Sequence, residues 1–320
     1  MENERKKLPL VLLCGPTAVG KTKLSIDLAK AINGEIISAD SMQVYKYMDI
    51  GSAKITEEEK EGIRHHLIDI LDPHDEFSVA DFKNYAKKCA EDIASRGKIP
   101  IVVGGTGFYV QALIYDIDFE SGEGANTSLR KQLENIAKEK GPEVLYEMLK
   151  ERDPESCSYI HMNNIKKVIR AIEYFEETGS PISAHNEEMH QRDSIYNFAY
   201  FVLNDDREKV YDNIDKRVDI MLDSGLLEEV TKLKDMGLTR DYVSMHGLGY
   251  KEILEYLEGD IPLEEAVYKI KRDTRHFAKR QITWFKREKE VIWLNKPSFA
   301  YNNEAIISYI KETLNDKGIL

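Results

Sequence analysis

The strongest constraint on the fold is the stretch Gly15-Pro16-Thr17-Ala18-Val19-Gly20-Lys21-Thr22. It has the G-x-x-x-x-G-K-T spacing of a phosphate-binding loop. The apolar run Leu8 to Cys14 precedes it and is short enough for a buried strand. After it, Leu24-Ser25-Ile26-Asp27-Leu28-Ala29-Lys30-Ala31-Ile32 carries apolar residues at helical spacing. A strand that passes into a helix through glycines leaves backbone N–H groups free to surround an anion, at the positive end of the new helix. Lys21 adds a full charge, and the Thr22 hydroxyl can bind Mg²⁺. The eight residues are therefore read as a binding site for linked phosphates. The loop by itself fits ATP or GTP hydrolysis and kinase chemistry as well as other phosphate chemistry.

Short apolar runs alternate with helical patterns along the chain. The strand candidates are Leu10–Leu13, Glu35–Ser38, His66–Ile70, Ile99–Val103, Phe198–Leu203 and Val291–Leu294. Ser78 and Asp81 form a capping box for a helix that runs to about Ser95, before Gly97. From Asp116 to Gln191 the pattern changes. Gly122 and Gly124 mark a loop, and polar helices follow at Ser128–Lys140, Pro142–Glu151 and Asn164–Thr178. After Leu203 the chain reads as nearly all helix: Asp206–Leu222, Leu226–Met236, Lys251–Glu258, Leu263–Lys289 and Glu304–Leu314. This order predicts an α/β fold of the phosphate-loop NTPase type, a mostly parallel sheet flanked by helices, with an all-helical insert domain. The core would comprise residues 1–115 and 197–320, with a helical C-terminal part, and the insert 116–196.

The bulk composition narrows the function. A formal net charge of −12 over 320 residues disfavours nucleic-acid binding unless basic residues cluster locally. Three scattered cysteines, Cys14, Cys89 and Cys157, give neither a disulfide framework nor a zinc finger. That cysteine usage fits a reducing cytoplasm, no apolar stretch is long enough to span a bilayer, and a cytoplasmic protein with no membrane contact is expected.

Two usual companions of the loop are missing. The run Ile99-Pro100-Ile101-Val102-Val103 ends in Gly104-Gly105-Thr106-Gly107, with no acid to hold Mg²⁺ for hydrolysis. The one Asn-Lys pair, Asn295-Lys296, continues Pro297-Ser298 and lacks the Asp that reads guanine. An acid stands instead after the second strand, in Ser38-Ala39-Asp40-Ser41-Met42-Gln43-Val44-Tyr45. Ligands sit at the carboxyl ends of such strands. Asp40 could there hold a metal or accept a proton, and its position fits a loop-capping Asp equally. His65-His66 with Asp69 is read as strand rather than as metal ligands.

The loop, the Ser38–Tyr45 stretch and Met48-Asp49-Ile50-Gly51-Ser52-Ala53-Lys54 follow in order. So do Gly104-Gly105-Thr106-Gly107-Phe108-Tyr109, Arg217-Val218-Asp219, Gly247-Leu248-Gly249-Tyr250-Lys251 and Lys279-Arg280-Gln281-x-Thr283-Trp284-Phe285. Together they resemble the tRNA dimethylallyltransferases, or tRNA isopentenyltransferases, from Leu8 to about Leu294. The resemblance implies transfer of a dimethylallyl group from dimethylallyl diphosphate to N6 of the adenosine at tRNA position 37. It implies Asp40 as the catalytic base, and Lys21, Thr22 and Arg217 at the diphosphate with Mg²⁺ on Thr22. It also implies tRNA contacts from Asp40, Ser41, Met42 and Gln43, from Thr106 and Gly107, and from Gly249, Tyr250 and Lys251.

Two basic clusters would offset the acidic total. One is Lys166, Lys167 and Arg170 on the insert, expected to reach the anticodon stem-loop. The other is Lys269, Lys271, Arg272, Arg275, Lys279, Arg280, Lys286 and Arg287 along one helix, interleaved with aromatics. The family match turns Lys279, Arg280, Gln281 and Trp284 toward tRNA. A monomer is expected. The alternatives are an adenylate isopentenyltransferase acting on free AMP or ATP, an ATP-consuming small-molecule kinase, and a non-catalytic RNA-binding ATP switch.

Overall fold

In the computed structural model, residues 7–117, 127–191 and 193–320 are described. Strands β1 (Leu8–Cys14), β2 (Gly34–Ala39), β3 (His65–His66), β4 (Ile99–Gly104), β5 (Tyr196–Asn204) and β6 (Val291–Asn295) form one parallel sheet. Their order across it is β3-β2-β4-β1-β5-β6. β1 pairs Val11 with Ile101 of β4 on one side and with Ala199 of β5 on the other. The chain lays β2, β3 and β4 on one side of β1, with β4 returning to lie beside it, and then β5 and β6 on the other. Such a reversal opens a crevice beyond the carboxyl ends of the strands.

Helices α1 (Lys21–Ala31) and α2 (Val79–Ser95) both pack on β1, β2 and β4 and so cover opposite faces of the sheet. The α1 face buries Val11, Leu13, Ile36 and Ile101 against Leu24 and Leu28. Strands buried on both faces read as continuous apolar runs, which is why β1 was legible. The Ser78–Asp81 capping box is present at α2. The short α3 (Gly107–Ile114) follows β4 directly; its glycine-rich start reads in sequence only as a turn.

The predicted strand His66–Ile70 shrinks to His65–His66. Leu67 and Asp69 adopt φ of 62° and 55°, and left-handed residues cannot continue a ladder. The histidines serve the fold: His66 Nε2 bonds Glu35 Oε2 at 2.9 Å and His65 Nδ1 bonds the Ile63 carbonyl at 2.9 Å.

Two compact units divide the chain, one of Met1–Leu113 with Ile195–Leu320 and the other Ile114–Ser194. The second holds α4 (Thr127–Lys140), α5 (Pro142–Arg152), α6 (Ile165–Thr178) and α7 (Ile182–Gln191), around Leu133, Leu145, Leu149, Val168 and Ile172. Its glycines Gly122 and Gly124 lie outside the described residues. In the first unit β5 leads to α8 (Arg207–Asp223), α9 (Leu226–Asp235), α10 (Tyr250–Leu257), α11 (Leu263–Phe285) and, after β6, α12 (Asn303–Asp316). α11 stops at Phe285 rather than Lys289, and a turn with Glu290 at φ 59° feeds β6. No helix among the described residues is long and apolar enough to cross a membrane.

Candidate active site

The end of β1 delivers the phosphate loop to the crevice. Gly20 caps α1 at φ 99°, a left-handed conformation that a side chain would strain. The first-turn N–H groups of α1 have no partner within the helix and open toward the crevice. Lys21 donates from Nζ to the Gly15 and Pro16 carbonyls at 2.9 and 2.7 Å. Burial, and then the like charge of Arg217, push its ammonium down to about 8. Thr22 is exposed. Just before the loop, burial pushes the Cys14 thiol up to about 12, so no thiolate is available there.

One pocket gathers Thr17, Lys21 and Thr22 from the loop, Asp40 and Gln43 from beyond β2, Arg217 from α8 and Gln281 from α11. Arg217 Nη1 donates to Thr17 Oγ1 at 3.5 Å, and burial lowers its pKa. Two desolvated cations beside open amides form a site that demands an anion. Ile36, Ile55, Ile68, Val103 and Phe277 give the same pocket an apolar wall.

Asp40 stands at the carboxyl end of β2. Its Oδ1 accepts from the Met42 N–H at 2.8 Å and the Gln43 N–H at 3.4 Å, which folds Ser41, Met42 and Gln43 into a tight turn. The Gln43 side chain takes the Ser38 hydroxyl at 3.1 Å and reaches the Ser52 carbonyl at 3.4 Å. The pocket rim is thus tied to the loop that follows. Thr106 starts α3, accepting from the Tyr109 N–H at 3.0 Å. A Cβ on Gly107 would meet the Trp284 ring at 2.2 Å, so that helix start is a seat for the indole.

Gln281, which the resemblance turns toward tRNA, is buried. Its Oε1 accepts from the Thr17 N–H at 2.9 Å and its Nε2 donates to the Gly105 carbonyl at 3.0 Å. It clamps the phosphate loop to the end of β4, and a Cβ on Gly105 would overlap it at 2.1 Å. Tyr250 also departs from the expectation of a tRNA contact. Its side chain is fully buried; the hydroxyl donates to Glu229 Oε1 at 2.8 Å and accepts from the Ser52 N–H at 3.1 Å. Glu229, unnoticed in the sequence, collects the N–H groups of Asp49, Ile50 and Gly51 at 2.9, 2.8 and 3.1 Å. Together they fasten the segment whose Ser52 and Ala53 line the pocket. Gly249, at φ 95°, caps α10 with its N–H on Glu252 Oε2 at 2.8 Å, and Lys251 pairs with Glu252 Oε1 at 3.2 Å.

The basic helix α11 divides in two. Lys269, Lys271, Arg272 and Arg275 are neutralised by Glu255, Asp219, Asp273 and Asp215. Among the described residues Lys279, Arg280 and Arg287 form no salt bridge, and they line a surface groove with His276, Thr283 and Trp284. In the other unit, α6 buries Val168, Ile169 and Ile172 and exposes Lys166 and Lys167, with Arg170 half-buried.

A family model described as IPP transferase matches residues 43–288. A tRNA dimethylallyltransferase of Lachnoclostridium phytofermentans is 60% identical over 313 residues, covering 98% of this chain and 99% of that protein. One from Acetivibrio thermocellus is 54% identical over 97% of this chain and 98% of its own length. Among solved structures, the full-length tRNA isopentenylpyrophosphate transferase of Bacillus halodurans is similar at 44% identity and TM-score 0.73, over 98% of both chains. A eukaryotic dimethylallyltransferase acting on tRNA is similar at 33% identity and TM-score 0.77, over 90% of this chain and 73% of that one.

Proposed function

The chain belongs to the IPP transferase family, and from that premise we infer that it transfers a dimethylallyl group from dimethylallyl diphosphate to N6 of an adenosine in tRNA. The observation that carries the reading is one pocket lined together by the phosphate loop, Asp40, Arg217 and apolar side chains.

In the reaction the C1–O bond of the allylic diphosphate breaks and the N6–C1 bond forms. Charge grows on the departing oxygens, so donors already aimed at them supply most of the acceleration. The loop amides, Lys21 and Arg217 are those donors. N6 is a weak nucleophile because its lone pair is shared with the ring. The Asp40 carboxylate orients one N6 hydrogen and takes the proton as the bond forms. Ile36, Ile55, Ile68, Val103 and Phe277 receive the dimethylallyl group and keep water from the allylic carbon.

Among the described residues no cluster of three or more His, Cys, Asp or Glu could hold a metal ion. Mg²⁺ uses few protein ligands and keeps substrate phosphates and water. The exposed Thr22 hydroxyl is the residue that would hold it. When bound, it would neutralise charge on the leaving diphosphate.

The target adenosine must leave its stack to reach Asp40. Lys279, Arg280 and Arg287 hold RNA phosphates beside Trp284, and Lys166 and Lys167 reach the anticodon stem-loop from the insert. About five such contacts predict that stem-loop affinity falls roughly a hundredfold between about 50 and about 200 mM salt. Filter binding across that range checks it; affinity that ignores salt contradicts the phosphate contacts. The three free cysteines suit a cytoplasmic setting.

The acceptor is tested by supplying dimethylallyl diphosphate with either an anticodon stem-loop or AMP and analysing nucleosides by mass. N6-(dimethylallyl)adenosine in the RNA alone is expected. Product from AMP and none from RNA would overturn the assignment.

A further inference from the structure

The Asn295-Lys296 pair fails as a guanine-reading motif, yet the fold brings its lysine to the phosphate loop. Lys296 Nζ donates to the Val19 carbonyl at 3.3 Å and lies 3.4 Å from Asp205 Oδ2. A Cβ built on Gly20 would stand 3.7 Å from the same nitrogen. The Asp205 side chain is 3% exposed, and its Oδ1 accepts from the Tyr301 hydroxyl at 3.0 Å. The Tyr301 ring in turn faces Lys296 Nζ, 5.7 Å from its centroid. The ammonium is therefore held on three sides, by the phosphate loop, by the residue after β5 and by the turn before α12.

This placement is unfavourable by itself. A cation beside the first turn of α1 opposes the helix dipole, and Lys21 and Arg217 already crowd the site with positive charge. The arrangement becomes intelligible from the loop's backbone. A loop that aims its N–H groups at an anion must turn its carbonyls away, and each needs a donor. Gly15 and Pro16 have Lys21, Ala18 has Asn213 Nδ2 at 3.3 Å, and Val19 has Lys296.

We propose that Lys296, anchored by the buried Asp205, is a positioning residue for the diphosphate: it fixes the Val19–Gly20 peptide so that the amides at the start of α1 face the leaving group before it binds. The proposal rests on the reading of the pocket as a diphosphate site.

The test uses the full chain and inorganic diphosphate with Mg²⁺ as the probe. Lys296→Met removes the charge at near-constant length. Lys296→Met with Asp205→Asn also removes the carboxylate left behind, in case the single variant folds poorly. Diphosphate Kd is expected to rise about tenfold in both, the size of one lost charged hydrogen bond, and kcat/KM for dimethylallyl diphosphate to fall at least as much. Lys296→Arg should recover most of the affinity. Unchanged diphosphate affinity in a folded variant overturns the proposal. A lowered melting temperature with diphosphate affinity retained also overturns it, as a purely structural role. If the wild-type protein binds diphosphate but transfers no prenyl group, the reaction assigned above fails while Lys296 is still scored by its effect on Kd. A wild-type protein that does not bind diphosphate overturns both.

Discussion

Asp40→Asn is expected to slow prenyl transfer by about 10²- to 10⁴-fold, the usual worth of a general base, with stem-loop binding and melting temperature close to wild type. Position alone left Asp40 between two roles, a cap for the following turn and a base. The two carboxylate oxygens have different surroundings. Oδ1 is committed to the Met42 and Gln43 N–H groups. Among the described residues Oδ2 accepts no hydrogen bond, and Asp40 lines the pocket shared with Lys21 and Arg217. An asparagine can keep the cap through its carbonyl oxygen but cannot take the proton. Asp40→Ala loses both, so it should also loosen the Ser41–Gln43 turn and lose transfer at least as completely. Single-turnover transfer to a stem-loop, with binding measured in parallel, separates the two variants. Wild-type turnover by Asp40→Asn would end the base assignment and leave Asp40 as a cap.

The parts of this architecture that were legible in sequence are those set by local pattern. β1, the loop and α1 are adjacent, and each has its own period or spacing. Between Asp116 and Gln191 the sequence carries helical patterns and no strand signal. Illegible were the contacts that depend on side chains far apart in the chain. Glu229 reads as one more acid in the first turn of α9, which the helix dipole alone would explain. Only the fold reveals that it collects three successive amides 178 to 180 residues away. Gln281 sits among basic residues on α11 and reads as surface; its place beside the buried Ala278 and Phe285 turns it inward to Thr17. The same helix shows why a count of charges misleads. Its N-terminal half spends its cations on acids of α8, α10 and its own turns, and among the described residues only the C-terminal part has cations outside salt bridges.

Lys21→Met is expected to lower kcat/KM for dimethylallyl diphosphate by about 10²- to 10³-fold, comparable to losing one oxyanion donor. In the free protein Lys21 holds the Gly15 and Pro16 carbonyls, so it shapes the loop as well as charging it. Its pH behaviour distinguishes charge from shape. The ammonium ordinarily titrates near 10.5 and is pushed down to about 8 by burial and then by Arg217. Below about 8 it is charged before the substrate arrives. Above that pH the free site is neutral, and a bound diphosphate, by favouring the charged form, must draw in a proton. Affinity for dimethylallyl diphosphate should therefore be level below pH 8 and fall by up to about tenfold per unit above it. The substrate's own last ionisation lies lower, so it does not mask the effect. Calorimetry near pH 8.5 in two buffers of different ionisation enthalpy should register proton uptake by the wild-type protein and none by Lys21→Met. Equal pH dependence in the two proteins would assign the fall to another group and leave Lys21 as a structural clasp of the loop.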